Sequence, residues 1–273
     1  MEQQKDKNNI TTITIGGFDG MHIAHQQLFK RLGNSGAIVV IQTKYANLTP
    51  HKYREIYTNY PIKYYNLDDI KDLSGEEFVE LLKDEFPSVE KIVVGFDFRF
   101  AKNASCDIDD LKRFFQKDIE VVEEYFYDNI AVHSKTIRGY ISCGNIEIAN
   151  KLLGKNYTIF GTHIKGQGLG KKQFVATINI KCDEFLLPSS GIYATYTTVD
   201  NIRYKSVSFL GHRISTDGKF AIETHILDKD IDIKNNNVSI EFIKKIRDNK
   251  RFDTFEKLKK QIMDDIKVTK SIL

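Results

Sequence analysis

The pattern of hydrophobic residues changes near residue 155, and this change constrains the fold more than any other feature of the chain. Before it, short apolar runs such as ITTITI (10–15), AIVVIQT (37–43) and KIVVGFDF (91–98) alternate with helix-like segments such as HQQLFKRL (25–32). Strands that alternate with helices are typical of a parallel sheet covered by helices. The first half of the chain therefore predicts an α/β domain.

After residue 155, strand-like stretches follow one another and are separated by Gly, Asn or Asp turns. These stretches are YTIFGTHI, FVATINIKC, IYATYTTVD, YKSVSFLG and KFAIETHIL. Short alternating strands in succession predict a small antiparallel barrel or sandwich. We therefore predict two domains, 1–155 and 156–273, in which an α/β unit with a parallel sheet precedes an antiparallel β-barrel with a C-terminal helix.

Three helix ends carry local signals in the sequence. Ser74 with Glu77 predicts a capping box, in which each residue satisfies a backbone N–H of the other. Gly154 predicts the end of the helix that precedes the barrel, because glycine readily adopts the left-handed conformation that ends helices. Asp253 with Glu256 predicts the start of the C-terminal helix. Residues 44–73 carry no pattern that assigns their structure.

Composition and charge exclude several classes of protein. Hydrophobic residues make up 41% of the chain, and the net charge of +3 does not indicate a nucleic-acid partner. The apolar runs are too short for a bilayer span, and the polar N-terminus has no signal-peptide core. The three cysteines are widely spaced, which fits a reducing cytoplasm. We expect a cytoplasmic protein without a membrane partner, whose oligomeric state the sequence leaves open.

The segment GGFDGMHIAH (16–25) stands at the predicted turn from the first strand into the first helix. Ligands of open α/β sheets bind at the carboxyl ends of the strands, and a helix N-terminus favours phosphate. His22 and His25 can lie on one side of the first helical turn, where they could donate hydrogen bonds to a leaving pyrophosphate. Asp19 could accept from a hydroxyl or help to hold Mg²⁺. The alternative is a pair of surface histidines beside a tight turn.

This segment resembles the nucleotidyltransferase signature of bifunctional riboflavin kinase/FMN adenylyltransferases, the bacterial FAD synthetases. Ala24 stands where that signature has glycine. VGFDFRFAKNASCD (94–107) is similar to a second family segment, with Ala101 in place of glycine, and HSKTIR (133–138) resembles a third. The resemblance implies a Rossmann-like nucleotidyltransferase domain over 1–155.

The resemblance also implies a role for each matching residue of this domain. His22, His25 and Arg138 would act in catalysis on the phosphates of ATP. The further residues that would bind ATP are Gly17, Phe18, Asp19, Gly20 and Ser134. Those that would lie at the flavin end are Asp97, Phe98 and Arg99. For a single residue such as Arg138, a surface ion pair is the alternative explanation.

The glycine-rich, basic segment GQGLGKKQFVATINI (166–180) is a weak phosphate signal by itself, because such loops are often plain turns. It resembles the riboflavin kinase loop of the same family, with Ala176 in place of proline. The resemblance implies that Thr177 and Asn179 hold Mg²⁺, and we expect the two to face one side of a strand. The residues of the segment that would bind ATP are Gly168, Gly170 and Lys172.

Two later segments complete the resemblance. KFAIETHILD (219–228) matches a family strand whose glutamate is the general base, which implies that role for Glu223 and leaves Asp228 as the alternative carboxylate. The stretch 246–262 resembles the closing segment near the flavin ring and implies that Arg247 contacts flavin, although a plain amphipathic helix is the alternative. The resemblance is weaker in GHRISTDG (211–218), where the family has a proline.

Together these matches predict an enzyme of FAD biosynthesis. Riboflavin and ATP would give FMN and ADP in the barrel, and FMN and ATP would give FAD and pyrophosphate in the α/β domain. Riboflavin, FMN and ATP are then the small-molecule substrates, and both reactions need Mg²⁺. Two alternatives stay open at this point: an enzyme that keeps one of the activities, and a flavin-binding regulatory protein with inactive sites.

Overall fold

The structure, a computed structural model, describes residues 7–164, 175–215 and 217–273. The chain forms two compact units, Met1–Ser134 and Lys135–Leu273. The segment between residues 135 and 155 packs with the barrel, whereas we predicted a domain boundary after residue 155. The assignment of one function to residues 1–155 and the other to residues 156–273 stays a prediction.

The first unit contains, within its described residues, a parallel sheet of five strands. The strands are β1 (Thr12–Gly16), β2 (Gly36–Gln42), β3 (Ile62–Asn66), β4 (Lys91–Gly95) and β5 (Asp118–Val122). Their order is β3-β2-β1-β4-β5, and all neighbouring pairs are parallel. Because β1 and β4 are neighbours, the turns that follow them lie at the same edge of the sheet. The predicted α/β fold is confirmed.

Helices cover both faces of this sheet, so its central strands are buried on both sides. Val93 and Val94, adjacent on β4, belong to different hydrophobic clusters. The α-helices of the unit are α1 (Ile23–Phe29), α2 (Leu67–Ile70), α3 (Gly75–Glu85) and α4 (Ile108–Phe115). Short 3₁₀ helices span Lys7–Asn9, His51–Tyr57 and Lys102–Ala104, and β6 (Phe126–Tyr127) pairs with β7 (Ile130–Ala131). The segment 44–73 is thus built from a 3₁₀ helix, β3 and α2.

The second unit is a closed antiparallel barrel with helices before and after it. Helix α5 (Ser134–Cys143) begins at the last residue of the first unit, and α6 (Ile146–Leu153) follows. The strands are β8 (Tyr157–Ile164), β9 (Ile178–Lys181), β10 (Gly191–Val199), β11 (Ile202–His212), β12 (Phe220–Ile226) and β13 (Asn237–Asp248), and the C-terminal helix is α7 (Phe255–Ile272). The order of the strands in the barrel is β10-β11-β12-β9-β8-β13, and β13 pairs with β10 to close it. The predicted barrel and C-terminal helix are confirmed.

Strand β13 was not predicted, although it closes the barrel by pairing with both β8 and β10. Its first half alternates, since Val238, Ile240 and Phe242 are buried. Lys244 and Lys245 then interrupt the apolar period. This strand also carries Arg247, so the alternative of a plain amphipathic helix is wrong for that residue.

The predicted helix ends are mostly confirmed. Ser74 Oγ accepts from the Glu77 N–H at 3.3 Å, and Glu77 Oε2 accepts from the Ser74 N–H at 2.8 Å. Gly154 ends α6 with φ +72°. The prediction for α7 was wrong by one residue, because its cap is Thr254, whose Oγ1 accepts from the Lys257 N–H at 3.3 Å.

Five hydroxyl side chains, all fully buried, replace apolar groups in part of the barrel interior. Thr195 Oγ1 lies 2.8 Å from Ser206 Oγ and 2.8 Å from Ser208 Oγ. Thr224 Oγ1 lies 2.9 Å from Ser208 Oγ and 2.9 Å from Thr197 Oγ1. Such a bonded network offsets the cost of burying polar groups. Because Thr224 points inward on β12, the residues on either side of it point to the other face.

Candidate active sites

The turn between β1 and α1 forms the first candidate site. Phe18, Gly20 and Met21 have φ values of +46°, +89° and +45°, so the backbone is left-handed at three positions. Glycine adopts this conformation without strain, which explains Gly20. The turn ends at His22, which caps α1 by accepting the His25 N–H on Nδ1 at 3.4 Å.

The two histidines lie against each other and next to Ser134. Their ring centroids are 3.5 Å apart at an interplanar angle of 20°, and Phe18 meets His25 edge-on at 5.1 Å. Ser134 Oγ donates to the Asp19 carbonyl at 2.7 Å and lies 3.4 Å from His22 Nε2. Because His22 Nδ1 accepts a backbone N–H, its ring proton is assigned to Nε2. The structure thus brings together three predicted residues from two distant segments.

Asp19 has a role in this site that the sequence did not indicate. Its side chain is 5% exposed, and its carboxylate accepts the backbone N–H groups of Asn47, Leu48 and Thr49 at 3.2, 3.0 and 2.9 Å. The Gly20 N–H in turn donates to Thr49 Oγ1 at 2.8 Å. Asp19 therefore fixes the turn against the segment after β2, and its contact with ATP stays a prediction.

Arg54 is a residue of this site that sequence reasoning missed. It is 1% exposed, and it donates through Nε to the Gly17 carbonyl and through Nη1 to the His51 carbonyl, both at 3.1 Å. Burial lowers its pKa, and the negative charge of Asp19 opposes that shift. Arg54 comes from the unassigned segment 44–73, where a single arginine carries no periodic signal.

The remaining predicted residues of this domain lie at the same sheet edge or on α5. Asp97 is in the turn after β4, and Phe98 packs against the core and stacks on Phe100 at 5.6 Å. Arg99 Nη1 pairs with Asp107 at 3.4 Å, which leaves it on the surface. Arg138 follows Ser134 by one turn of α5. Their contacts with ligands stay predictions.

The second candidate site is a cavity of about 390 Å³ within the barrel unit. Its wall is mainly apolar and includes residues of β10, β11 and α7. Its polar lining includes Thr177, Glu223, His225 and Arg247, so the structure gathers three predicted residues of this domain. Asp228, the alternative carboxylate, pairs with Lys270 instead.

Glu223 has the environment of a proton acceptor. It stands opposite Asn179 in the register of β12 and β9, and Arg213 Nη1 donates to its Oε1 at 3.1 Å. Burial is the main cause that raises its pKa; the charge of Arg213 opposes the shift and that of Asp217 adds to it. A carboxylate with a raised pKa is a stronger base, which suits removal of a hydroxyl proton.

Only one residue of the predicted metal-binding pair lies within a strand. Strand β9 begins at Ile178, so Thr177 lies just before the strand. Thr177 lines the larger cavity, while Asn179 lines a second one of about 260 Å³. In the described part of the chain, no group of three or more His, Cys, Asp or Glu side chains could hold a metal. A hydroxyl and an amide oxygen nevertheless suit Mg²⁺, which commonly binds few protein groups together with nucleotide phosphates.

Arg247 faces the cavity but has a protein partner. Its Nε and Nη2 donate to the two carboxylate oxygens of Asp265 at 2.9 and 2.7 Å. This bidentate pair joins β13 to α7 and so holds one wall of the cavity. A contact between Arg247 and flavin stays a prediction. The predicted ATP-binding residues Gly168, Gly170 and Lys172 lie outside the described residues.

Comparison with known proteins relates both units to one group of enzymes. Residues 153–273 match the Flavokinase family model, described as riboflavin kinase. A bifunctional riboflavin kinase/FMN adenylyltransferase of Buchnera aphidicola subsp. Acyrthosiphon pisum is 29% identical, over 96% of this chain and 93% of its own. A protein of Pseudomonas fluorescens with the same name is 25% identical, over 95% and 92%.

A solved structure shares the whole fold. It is titled a macrolide-efflux protein from Streptococcus pneumoniae, and it is 24% identical to this chain. The match covers 96% of this chain and 94% of the other with a TM-score of 0.83. At this identity the likeness shows that the two chains fold alike. Among the described residues, each helix is too short or too polar to cross a bilayer.

Proposed function

We propose that this chain, which is similar over nearly its whole length to bifunctional riboflavin kinase/FMN adenylyltransferases, makes FAD from riboflavin in two ATP-dependent steps. Residues 156–273 phosphorylate riboflavin to FMN and release ADP. Residues 1–155 transfer AMP from a second ATP to FMN and release pyrophosphate. Both activities are supported, because the family model covers the barrel and the bifunctional relatives span both units.

The placement of Glu223 in an apolar cavity of suitable size carries the kinase assignment. The 5′-hydroxyl oxygen of riboflavin bonds to the γ-phosphorus of ATP while the bond between that phosphorus and ADP breaks. The Glu223 carboxylate takes the hydroxyl proton during this step. The apolar wall packs against the flavin ring and excludes water from it. Thr177 and Asn179 would hold Mg²⁺ together with the phosphates, and the ion would supply positive charge when bound.

The adenylyltransferase step uses the turn after β1. A phosphate oxygen of FMN attacks the α-phosphorus of ATP, and the bond to pyrophosphate breaks. The imidazole N–H of His25, together with that of His22 when a phosphate oxygen replaces Ser134 Oγ as its acceptor, stabilises the charge that develops on the leaving pyrophosphate. Arg138 adds a bidentate contact to the phosphates, which arginine makes better than lysine. Ser134 orients His22 and completes the ATP site.

The backbone of the turn and the end of β4 complete the adenylyltransferase site. The residues of the turn that we assign to ATP binding are Gly17, Phe18, Asp19 and Gly20. The residues that we assign to the flavin end are Asp97, Phe98 and Arg99.

We place the protein in the cytoplasm, since the cysteines, Cys106, Cys143 and Cys182, are free thiols.

A direct assay tests this function. The full chain is incubated with riboflavin, ATP and MgCl₂, and the flavins are separated by chromatography over time. FMN should appear first and FAD second, and excess chelator should stop both steps. A chain that stops at FMN would have one activity, and a chain that binds flavin without converting it would be a binding protein.

A further inference from the structure

Arg213 lies between the two cavities described above. It lines the larger one together with Glu223 and the smaller one together with Asn179. Its side chain is 18% exposed. Under the proposed function, the larger cavity binds the flavin and is lined by the proton acceptor Glu223. The smaller cavity, lined by Asn179, lies next to the phosphates of ATP. The guanidinium is therefore located where a phosphoryl group would cross from one substrate to the other.

The contacts of Arg213 divide its guanidinium between two carboxylates. Nη1 donates to Glu223 Oε1 at 3.1 Å, and Nη2 donates to Asp217 Oδ2 at 2.9 Å. One positive charge thus faces two negative charges in a partly buried place. An arriving phosphate oxygen would compete with these carboxylates for the same N–H groups, and a planar guanidinium can serve a carboxylate and a phosphate at once.

The backbone of Arg213 is fixed while its side chain reaches into the site. The Arg213 N–H donates to the Lys219 carbonyl at 2.9 Å, and its own carbonyl accepts the Gly218 N–H at 3.1 Å. These two hydrogen bonds join the two ends of the turn between β11 and β12. A fixed backbone with a long side chain allows the guanidinium to exchange partners without movement of the strands.

We propose that Arg213 is a further catalytic residue of riboflavin phosphorylation, an inference that rests on the proposed function of the barrel. Through Nη1 it keeps the Glu223 carboxylate turned toward the 5′-hydroxyl. Through its other N–H groups it contacts an oxygen of the γ-phosphoryl group during transfer. The hydroxyl oxygen gains the bond to phosphorus, ADP leaves with the electron pair of the broken bond, and the hydroxyl proton goes to Glu223.

The test is replacement of Arg213 in the full chain with separate measurement of both reactions. Arg213→Ala should lower the kcat of FMN formation about a hundredfold or more, the size seen when one preorganised donor is lost. The KM for riboflavin should change only a few-fold, because the flavin wall is intact. Arg213→Lys should recover part of kcat, and millimolar guanidinium should raise the rate of Arg213→Ala severalfold.

Two control variants separate catalysis from simple anchoring of the turn. Arg203, on β11, is bonded to Glu241 at 2.7 and 3.0 Å and lines neither cavity among the described residues. Arg203→Ala should keep its kcat and show no guanidinium rescue. Asp217→Asn removes the partner in the turn and leaves Glu223 in place, so kcat at neutral pH should stay within a few-fold of the unchanged chain.

The outcomes distinguish this inference from the proposed function. FAD formation from supplied FMN should be normal in every variant, and melting curves report folding of the barrel; if Arg213→Ala does not fold, Arg213→Lys carries the test. Unchanged kcat, a loss confined to KM, or equal losses in Arg213→Ala and Asp217→Asn without rescue would overturn the role of Arg213 alone. Failure of the unchanged chain to make FMN would overturn the proposed function, and this inference with it.

Discussion

In the first unit, the centre of the candidate site is one continuous segment, residues 16–25, whose backbone conformation places two histidines side by side. In the barrel, the candidate site takes single side chains from several strands, which surround an apolar cavity and balance their charges against one another. The histidine turn depends on local geometry, whereas the barrel cavity depends on charge and on assembly of distant segments. Changes in the two sites should therefore have different kinds of consequence and leave the other reaction intact.

The largest effect should come from the proton acceptor of the barrel. Glu223→Gln keeps the size of the side chain but removes its basicity, so FMN formation should fall by a factor of about 10² to 10⁴. FAD formation from supplied FMN should be nearly unchanged. Initial rates of both steps, with melting curves, make the measurement.

Asp228→Asn is the matched control for Glu223→Gln. Asp228 is the alternative carboxylate of the same segment, but it is exposed and paired with Lys270. Its replacement should leave both rates unchanged. If Asp228→Asn stops FMN formation and Glu223→Gln does not, the assignment of the base is wrong.

The histidine turn should show the reverse pattern with a slightly smaller effect. His25→Ala removes one donor to the leaving pyrophosphate, which typically raises the barrier by about 2.7–4 kcal/mol, or slows the reaction roughly a hundred- to a thousandfold. FMN should then accumulate from riboflavin at the normal rate. Loss of FMN formation in a well-folded His25→Ala chain would contradict the separation of the sites.

A smaller effect concerns pH and should appear in the barrel reaction. The pKa of Glu223 is raised, mainly by burial, and the base works only when it is deprotonated. FMN formation should therefore fall on the acid side at a higher pH than an ordinary glutamate would give. Asp217→Asn removes a negative charge that raises this pKa, so the acid limb should move to lower pH.

The control for the pH prediction is FAD formation in the same samples. That reaction does not use Glu223, and its acid limb should be the same with and without Asp217→Asn. An acid limb of FMN formation that moves to higher pH in Asp217→Asn would contradict the electrostatic explanation.

The smallest effect is on stability and distinguishes two alanines that stand where the family has glycine. Ala101 has φ +64° and ψ −178°, a conformation that is strained for residues with a Cβ atom. Ala101→Gly should raise the free energy of unfolding by about 1 kcal/mol, measured by urea titration. Ala24 lies inside α1, so Ala24→Gly should lower that free energy by up to about 1 kcal/mol. Equal shifts in both variants would contradict this explanation.

The two sites also differ in how far the sequence predicts them. GGFDGMHIAH is local, so its strand, turn and helix follow from the order of residues, and the capping box of α3 follows in the same way. Only the family resemblance predicted that Ser134 lies beside the two histidines, because the spacing of residues in the sequence does not indicate this contact. Parallel and antiparallel strand patterns were long enough to give the fold of both units.

The misses share a physical cause, which is dependence on tertiary contacts. Strand β13 was missed because Lys244 and Lys245 interrupt its apolar period beside irregularities in its pairing with β10. Arg54 and Arg213 were missed because their importance comes from burial and from carboxylates that the fold brings next to them, and a single arginine has no period. The structural role of Asp19 was missed as well, because it depends on three backbone N–H groups that come to it from another loop. Its contact with ATP stays a prediction.

Complementation between two inactive variants tests most directly the central claim that one chain holds two independent sites. Purified His25→Ala and Glu223→Gln chains are mixed with riboflavin, ATP and MgCl₂, and FAD is measured over time. The mixture should make FAD far faster than either chain alone, because FMN released by His25→Ala is adenylylated by Glu223→Gln. A mixture that makes no more FAD than the sum of the separate chains would contradict the claim.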